Sequence, residues 1–357
     1  MSTLADLLAE HTPLPVAAVE HLQRVVAEWQ LLADLSFADF LLWVPIARYG
    51  VAGPSKFLCI AQARPTTAPT AYFDDLVATT ADEETHPQLR RAVLERRICR
   101  EEDPQWQSGV PVRREAIPVR CGEEFVAVLS RDTNLAVPRV PSPLEIAYLG
   151  SAGDLCRMIV DGTFPTAEPS ADVHTSPRVG DGFIRLDAAG SVVFVSPNAA
   201  SAYHRMGHAA ELTHSDLVPL TRTLVADPFD AIEVTQRIRD ALAGKASTRF
   251  EAEAQRGATV LFRALPLRPG GKAAGALVLV RDVTEVKNRE RALLSKDATI
   301  REIHHRVKNN LQTVAALLRL QARRLTSPEA REALTESVRR VNSIALVHEA
   351  LSGSVDE

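Results

Sequence analysis

The arrangement of apolar and polar residues changes twice along the chain. In residues 1–163, apolar positions at helical spacing predict a helix at 15–34, and a second helix at 143–161 closes the segment. Short apolar runs predict strands at 37–46, at 57–63 and, as a pair, between 110 and 129. The stretch 82–106 has no clear period. Strand pairs between two helices predict an α+β domain with helices gathered on one side of a sheet.

A second pattern of short strands follows a stretch rich in Pro, Ser, Thr and Ala. Residues 164–178 show no periodicity and are predicted to form a linker, and 179–285 are predicted to form a second domain. This domain opens with a hairpin that turns near Gly190, followed by a helix through Tyr203. Further strands are predicted at 247–253, 258–266 and 274–281.

From residue 286 onward the strand signal nearly disappears, and the pattern predicts a helical hairpin over 286–357. Its first helix runs from about 285 to 325 and would be about 60 Å long. Residues 326–329 interrupt it, because Ser327 suits an N-cap and Pro328 suits the first helical position. The second helix is predicted to reach about residue 351, with Gly353 at its end.

Composition narrows the class of protein. The chain has 357 residues, of which 46% are hydrophobic and 24% are charged, which is typical of folded globular proteins. Its longest apolar run, of about eight residues, is far shorter than the roughly 20 that a membrane helix needs. The N-terminus lacks the basic start of a signal peptide, so we expect a cytoplasmic protein that contacts no membrane.

Cysteine spacing, aromatic content and scattered histidines give no site in the first two segments. The four cysteines are Cys59, Cys99, Cys121 and Cys156, and no two of them are spaced as zinc ligands are. We therefore expect buried free thiols and no metal site. We expect core positions for the three tryptophans, Trp29, Trp43 and Trp106. Surface positions, rather than a haem pocket, are expected for His204, His208 and His214. A small-molecule signal is left unidentified.

Charge is distributed unevenly. The net charge is −4, but from Lys287 to the end 13 basic residues stand against 9 acidic ones. One alternative is a non-catalytic module, either a ligand-binding sensor or an adaptor that binds RNA or a protein partner through this basic segment. No aromatic residue lies between Lys287 and Arg324 for base stacking, so direct nucleic-acid binding is not expected.

Two adjacent histidines mark the first helix of the hairpin. At about 100° per residue, an apolar stripe is formed by Ile300, Ile303, Val307, Leu311, Val314 and Leu318. The opposite, polar face is formed by His305, Lys308, Asn309 and Gln312. His304 borders the stripe, whereas Asn310 lies on it and is expected to fix the register of a helix bundle.

The polar face fits phosphoryl transfer. A neutral imidazole nitrogen is a nucleophile, and a phosphoryl acceptor must be open to its donor and then to a second protein. This requirement favours His305 over His304. A nearby lysine or arginine offsets the phosphoryl charge, and amides donate hydrogen bonds to it. Residue types alone leave open a solvated helix with two incidental histidines.

The string from His305 to Gln312 reads HRVKNNLQ and matches the phosphoacceptor box of the HisKA_2 class of bacterial sensor histidine kinases. The resemblance implies a two-component histidine kinase in which His305 accepts the phosphoryl group, and it implies site roles for Arg306, Lys308 and Asn309. It also implies a homodimer built on a four-helix bundle and a response-regulator partner, often one with an RNA-binding ANTAR output domain.

The earlier segments resemble signalling domains. The Ser196-Pro197-Asn198 turn and the Asp282-Val283-Thr284-Glu285 strand end resemble the start and end of a PAS domain, while the first segment resembles a GAF domain in its order of elements. No Pro or Gly follows Thr284, so Asp282 and Thr284 are expected to pass a PAS signal into the long helix. The order GAF, PAS and box resembles the actinobacterial PdtaS type of kinase.

A kinase also needs an ATP-binding domain with glycine-rich loops. No such loop occurs in the last 80 residues, so the chain is expected to hold no cofactor and to be inactive alone. The resemblance implies that the chain is the sensor and dimerisation part of a longer histidine kinase, whose catalytic domain would hold ATP and Mg²⁺. A catalytic domain supplied in trans could still phosphorylate this chain.

Overall fold

The computed structural model describes residues 4–46, 56–136, 140–166, 176–245, 249–324 and 327–353. They divide into two units at the step from Val283 to Thr284. The first unit contains two antiparallel sheets and the second contains two helices. Within the described ranges, no helix is long and apolar enough to span a membrane.

The first sheet has seven strands in the order β3-β2-β1-β7-β6-β4, with β5 paired to β6. Its elements are α1 (Leu4–His11), α2 (Val16–Ser36), β1 (Asp39–Pro45), β2 (Lys56–Ala63), β3 (Thr80–Asp82), α3 (Pro87–Glu95), β4 (Cys99–Arg100), β5 (Gln105–Gln107), β6 (Val110–Cys121), β7 (Glu124–Asn134) and α4 (Pro143–Val160). The predicted strand pairs and terminal helices are therefore confirmed. The predicted turn at Gly53 and Pro54 lies outside the described residues.

Helices cover both faces of this sheet, so the prediction that they gather on one side is wrong. The helices α2 and α4 enclose the larger core on one face, and α3 packs over a smaller core on the other. A capping box fixes the start of α4: the Ser142 hydroxyl accepts from the Glu145 amide at 3.3 Å, and Glu145 accepts from the Ser142 amide at 2.7 Å. The stretch 82–106 is not irregular, as its pattern indicated, but contains α3, β4 and β5.

Some predicted core positions are corrected. Trp43 is buried and Trp29 half-buried, but Trp106 is 73% exposed, because it lies on the short hairpin strand β5 beyond the cover of any helix. All four cysteines are free thiols, and Cys121 alone among them is half-buried rather than buried. His204 and His214 are exposed, as expected, and His208 is half-buried.

The second sheet has the strand order β10-β11-β12-β8-β9. Its elements are β8 (Phe183–Leu186), β9 (Val192–Val195), α5 (Pro197–Met206), α6 (Leu217–Leu224), α7 (Pro228–Leu242), β10 (Phe250–Glu253), β11 (Thr259–Leu267) and β12 (Gly275–Asp282). Glycine is required at position 275, where φ is +116° and a Cβ would meet the Leu186 carbonyl oxygen. The five predicted strands and the first helix are confirmed, whereas α6 and α7 were not predicted.

The two sheets share one hydrophobic core. Phe183 on β8 joins the first sheet's core, and its ring lies 4.6 Å from that of Tyr148 on α4. Phe164, the first residue of the predicted linker, and Val179, directly after its last residue, are buried in the same core. The two sheet domains are therefore packed together rather than tethered.

The second unit is the predicted helical hairpin. It consists of α8 (Thr284–Arg324) and α9 (Pro328–Gly353). Ser327 caps α9 by accepting a hydrogen bond from the Ala330 amide at 3.4 Å. The side chains buried between the two helices include Ala315, Ala322 and Val338.

Candidate functional site

The candidate phosphoacceptor lies on an open face of α8. His305 is exposed, and so are Asn309 and Gln312, whereas His304 is half-buried. Glu302 lies 2.5 Å from Arg306, one turn away on α8, and both side chains are exposed beside His305. The imidazole of His305 is therefore accessible to a second molecule, and cationic and amide groups lie within a turn of it.

Lys308 departs from the predicted face. It is half-buried, because it lies on the side of α8 that packs against α9. We define this packing side by the residues in this part of α8 that are buried or half-buried, which are His304, Val307, Lys308, Leu311, Ala315, Leu318 and Ala322. Lys308 nevertheless lies three residues after His305, within one turn of the helix.

The predicted apolar stripe is in fact two faces. Part of it packs against α9, but a second part stays open in the single chain, and we call it the open apolar face. It comprises Val286, Leu293, Ile300, Ile303, Val314 and Leu317, at successive spacings of seven, seven, three, eleven and three residues. Exposed Asn310 falls on this face between Ile303 and Val314. On a helical wheel with 3.6 residues per turn, the centres of the two faces are about 55° apart, and His305 lies on the side opposite the open face.

The predicted signal-transfer residues lie where β12 becomes α8. Asp282 ends β12, and α8 begins two residues later at Thr284. The Asp282 carboxylate accepts from Arg205 on α5 at 2.7 Å, and the Val283 amide donates to the Thr259 carbonyl at 2.9 Å. The strand end is thus fixed on both sides before the helix starts. Sequence reasoning missed Arg205, which is 77 residues away and belongs to no motif.

Two ion pairs connect the first sheet domain to the strands beside β12. Arg263 on β11 pairs with Glu28 on α2, and each side chain is only 10% exposed. Arg185 on β8 donates to Asp154 on α4 at 2.5 Å and to Ser151 at 2.7 Å. Both arginines lie on direct neighbours of β12 in the sheet. A displacement of α2 or α4 would therefore act on the strand that leads into α8.

Within the described ranges, no group of three or more His, Cys, Asp and Glu side chains is placed to hold a metal ion. The groups that the site presents are the imidazole of His305 and the cationic and amide side chains around it. This arrangement can accept and release a phosphoryl group.

Three family models match successive parts of the chain. The model for the GAF domain of histidine kinase PdtaS matches residues 4–152, a PAS-fold model matches 177–288, and the histidine kinase model HisKA_2 matches 302–357. These matches confirm the GAF, PAS and HisKA_2 resemblances. The domain limits at 163 and 285 stay predictions.

Curated relatives match over the whole length of the chain. It is 58% identical to the sensor histidine kinase PdtaS of Mycolicibacterium smegmatis over 362 residues, which cover 100% of this chain and 71% of that protein. It is 53% identical to the PdtaS of Mycobacterium tuberculosis over 375 residues, with the same coverage. Among solved structures, the sensor region of a sensor histidine kinase matches with a TM-score of 0.68 at 48% identity, covering 80% of this chain and all of that one.

Proposed function

We propose, for a chain that belongs to the family of PdtaS sensor histidine kinases, that a signal received in the GAF and PAS domains controls the phosphorylation of His305. The observation that carries this proposal is the exposure of His305 opposite the open apolar face of α8. The imidazole nitrogen attacks the γ-phosphorus of ATP, so that an N–P bond forms and the bond to ADP breaks. The phosphohistidine then donates the group to a carboxylate of a response regulator.

The side chains around His305 are given distinct roles. Arg306 and Lys308 would offset the charge of the transferred group, and the Asn309 amide would donate a hydrogen bond to it. The exposure of Arg306 directly after His305 supports this role. Neither ATP nor Mg²⁺ is assigned to residues of this chain.

The signal would reach His305 through the strand that continues into α8. The ion pairs at Arg263 and Arg185 connect the GAF helices to the neighbours of β12, and the Arg205–Asp282 pair fixes its end. A change in GAF or PAS packing would then shift the start of α8 at Thr284. For the partner, we propose a cytoplasmic response regulator, with the RNA-binding ANTAR output domain that the family resemblance implies.

Phosphoryl transfer from ATP to His305 should require a separate catalytic domain. We expect purified residues 1–357 to show no labelling when they are incubated with radioactive ATP and Mg²⁺ alone. Labelling should follow when the ATP-binding domain of a relative in this family is added. Label on the chain with ATP alone would contradict this division of roles, and no label in either mixture would contradict the function.

The open apolar face supports a homodimer. Six large apolar side chains exposed along one face of a helix are typical of the interface of a helix bundle. Burying this apolar surface in a dimer would stabilise the dimer by about 25 cal/mol for each Å² removed from water. We expect the chain to scatter light as twice its 38.9 kDa mass, and Ile303→Glu to shift it toward the monomer. Ala316→Glu, on the exposed opposite side of α8, should leave the dimer unchanged. A monomeric wild-type chain, or an equal effect of the two variants, would refute this interface.

The alternative of a non-catalytic adaptor has less support. The adaptor interpretation rests on the basic helix, which has 10 basic and 3 acidic residues between Lys287 and Arg324. That segment carries the phosphoacceptor box and matches the histidine kinase model from residue 302. The basic charge near His305 is accounted for by the phosphoryl group that it would receive.

A further inference from the structure

Two buried carboxylates lie opposite each other on neighbouring strands of the GAF sheet. Asp39 is the first residue of β1 and is directly paired with Asp132, near the end of β7. Asp39 is completely buried, and Asp132 is 1% exposed. Directly paired residues of antiparallel strands lie on the same face of the sheet, with Cβ atoms about 4.5–5.5 Å apart. If both groups were ionised, two like charges would lie side by side in the interior of the domain.

Among the described residues near this pair, one cation is buried with it. Arg114 on β6 is directly paired with Asp132 and is 5% exposed. A third buried carboxylate belongs to Glu101, whose amide donates to the Arg114 carbonyl at 3.1 Å. Arg64, in the loop between β2 and β3, also acts on Asp39, but its side chain is exposed to water. Three buried carboxylates therefore share the charge of one buried guanidinium.

Other titratable groups around the pair are uncharged near neutral pH. Burial raises the pKa of the Cys59 thiol on β2 to about 12, and burial together with the charge of Asp132 raises the pKa of the Tyr72 phenol. Burial and nearby Arg114 lower the pKa of His86, which directly precedes α3, to about 4. These three groups therefore supply no charge that would balance a second carboxylate.

The hydrogen-bond donors to the two carboxylates differ in kind. One donor to Asp39 is the Ala71 amide, at 2.6 Å, and an amide N–H cannot accept. Asp132 accepts from the Tyr72 hydroxyl at 2.5 Å on one oxygen and from the Ser130 hydroxyl on the other. A hydroxyl group can accept as well as donate. The chain therefore provides a partner for a proton on either oxygen of Asp132, but not on both oxygens of Asp39.

The surroundings also favour the neutral form of Asp132. Burial raises its pKa to about 6, and the charge of Asp39 acts in the same direction, against Arg114 and the two hydroxyls. Burial raises the pKa of Asp39 as well. An aspartate of the unfolded chain has a pKa of about 3.9, so the folded chain keeps a proton at pH values where the unfolded chain has lost it.

We propose that Asp132 is a proton-binding site of the GAF domain, which takes up a proton from solvent while Asp39 beside it stays charged. An O–H bond forms on one carboxylate oxygen of Asp132, and the hydroxyl oxygen of Tyr72 or Ser130 accepts from it. Uptake removes one of two like charges between β1 and β7, so acidification stabilises the contact between these strands. Proton binding needs no phosphoryl transfer, so this inference stands or fails independently of the proposed kinase function.

Infrared titration of the full chain in heavy water tests the inference, because a protonated carboxyl group absorbs apart from carboxylates. We expect the wild type to show one such band with a midpoint near about pH 6, above that of ordinary carboxyl groups. Asp132→Asn should remove this band. Asp103→Asn, at an exposed aspartate of the same domain, is the matched control and should leave the band unchanged. No such band in the wild type, or a band that survives Asp132→Asn, would overturn the inference.

A second variant keeps the test decisive if Asp132→Asn fails to fold. Tyr72→Phe removes a hydrogen bond to the charged form of Asp132, so the midpoint of the band should move to higher pH. Glu101→Gln separates the two neighbouring carboxyl groups and should leave a band with its midpoint above the ordinary range. An unchanged midpoint in Tyr72→Phe, or loss of the band in Glu101→Gln, would assign the proton elsewhere.

Thermal unfolding gives the sign of the effect. Because the pKa of Asp132 is raised in the folded chain, the stabilisation by its proton is complete below about pH 4 and is lost as the pH rises through about 6. Asparagine is neutral throughout this range. The melting temperature of Asp132→Asn, relative to that of the wild type, should therefore be higher at about pH 7.5 than at about pH 5. A difference between the two proteins that does not change with pH would contradict proton uptake at Asp132.

Discussion

Replacing His305 with glutamine is expected to abolish phosphoryl labelling of the chain when a catalytic domain of the family is supplied with ATP. His304→Gln should retain at least part of the labelling. The reason is position on α8: His305 is exposed, whereas His304 is half-buried on the side that packs against α9. Glutamine keeps a polar side chain on the helix but removes the nucleophilic nitrogen. Acid-labile label, counted on each purified variant, measures the effect.

The two variants control for each other, because they change adjacent residues in the same way. Circular dichroism and light scattering on both should match the wild type, which would exclude unfolding or loss of the dimer as the cause. Label mapped by mass spectrometry to His304, together with labelled His305→Gln, would overturn the assignment. It would also place α8 about a quarter turn from its described orientation in the complex.

The sequence predicted the sheet domains because most of their strands are apolar runs bounded by turn residues. β1 and β2 are buried almost throughout, and Gly190, at φ +89°, turns the chain between β8 and β9. The short helices were missed for a related reason. α3 buries only Gln88, Leu89 and Ala92, too few apolar positions to produce a recognisable period.

The long helix shows a second limit of the pattern. Its apolar positions were predicted as one stripe, yet they serve two contacts, one with α9 and one left open in the single chain. Periodicity gives the width of an apolar surface but not how many neighbours divide it. For that reason His305 was placed on the exposed side correctly, while half-buried Lys308 was placed there wrongly.

Contacts between distant residues could not be predicted at all. Glu28 and Arg263 are separated by 235 positions, and Arg205 and Asp282 by 77. Each is an ordinary charged residue in its local pattern, and only the packing of the two sheet domains brings the partners together. The linker was predicted to be flexible from its composition, but its described ends are buried. The composition therefore did not indicate that the two sheet domains pack together.

Breaking the ion pair between the two sheet domains should have a large effect on stability. We expect Arg263→Met to lower the free energy of unfolding of the chain by about 3–5 kcal/mol, because it leaves the carboxylate of Glu28 buried without its partner. The double variant Glu28→Leu/Arg263→Met should recover most of that loss, since no charge is then left buried. Denaturation in guanidinium chloride, followed by circular dichroism, measures the free energy of unfolding of each variant.

An exposed pair provides the matched control. Arg237 and Glu233 lie 3.0 Å apart on α7, and their side chains are 34% and 49% exposed. Because water screens such a pair, Arg237→Met should change the free energy of unfolding by no more than about 1 kcal/mol. A loss of that small size in Arg263→Met would mean that the GAF–PAS contact depends on the shared apolar core rather than on the ion pair. Signals from the GAF domain would then have to reach β12 through Phe183 and its neighbours on β8.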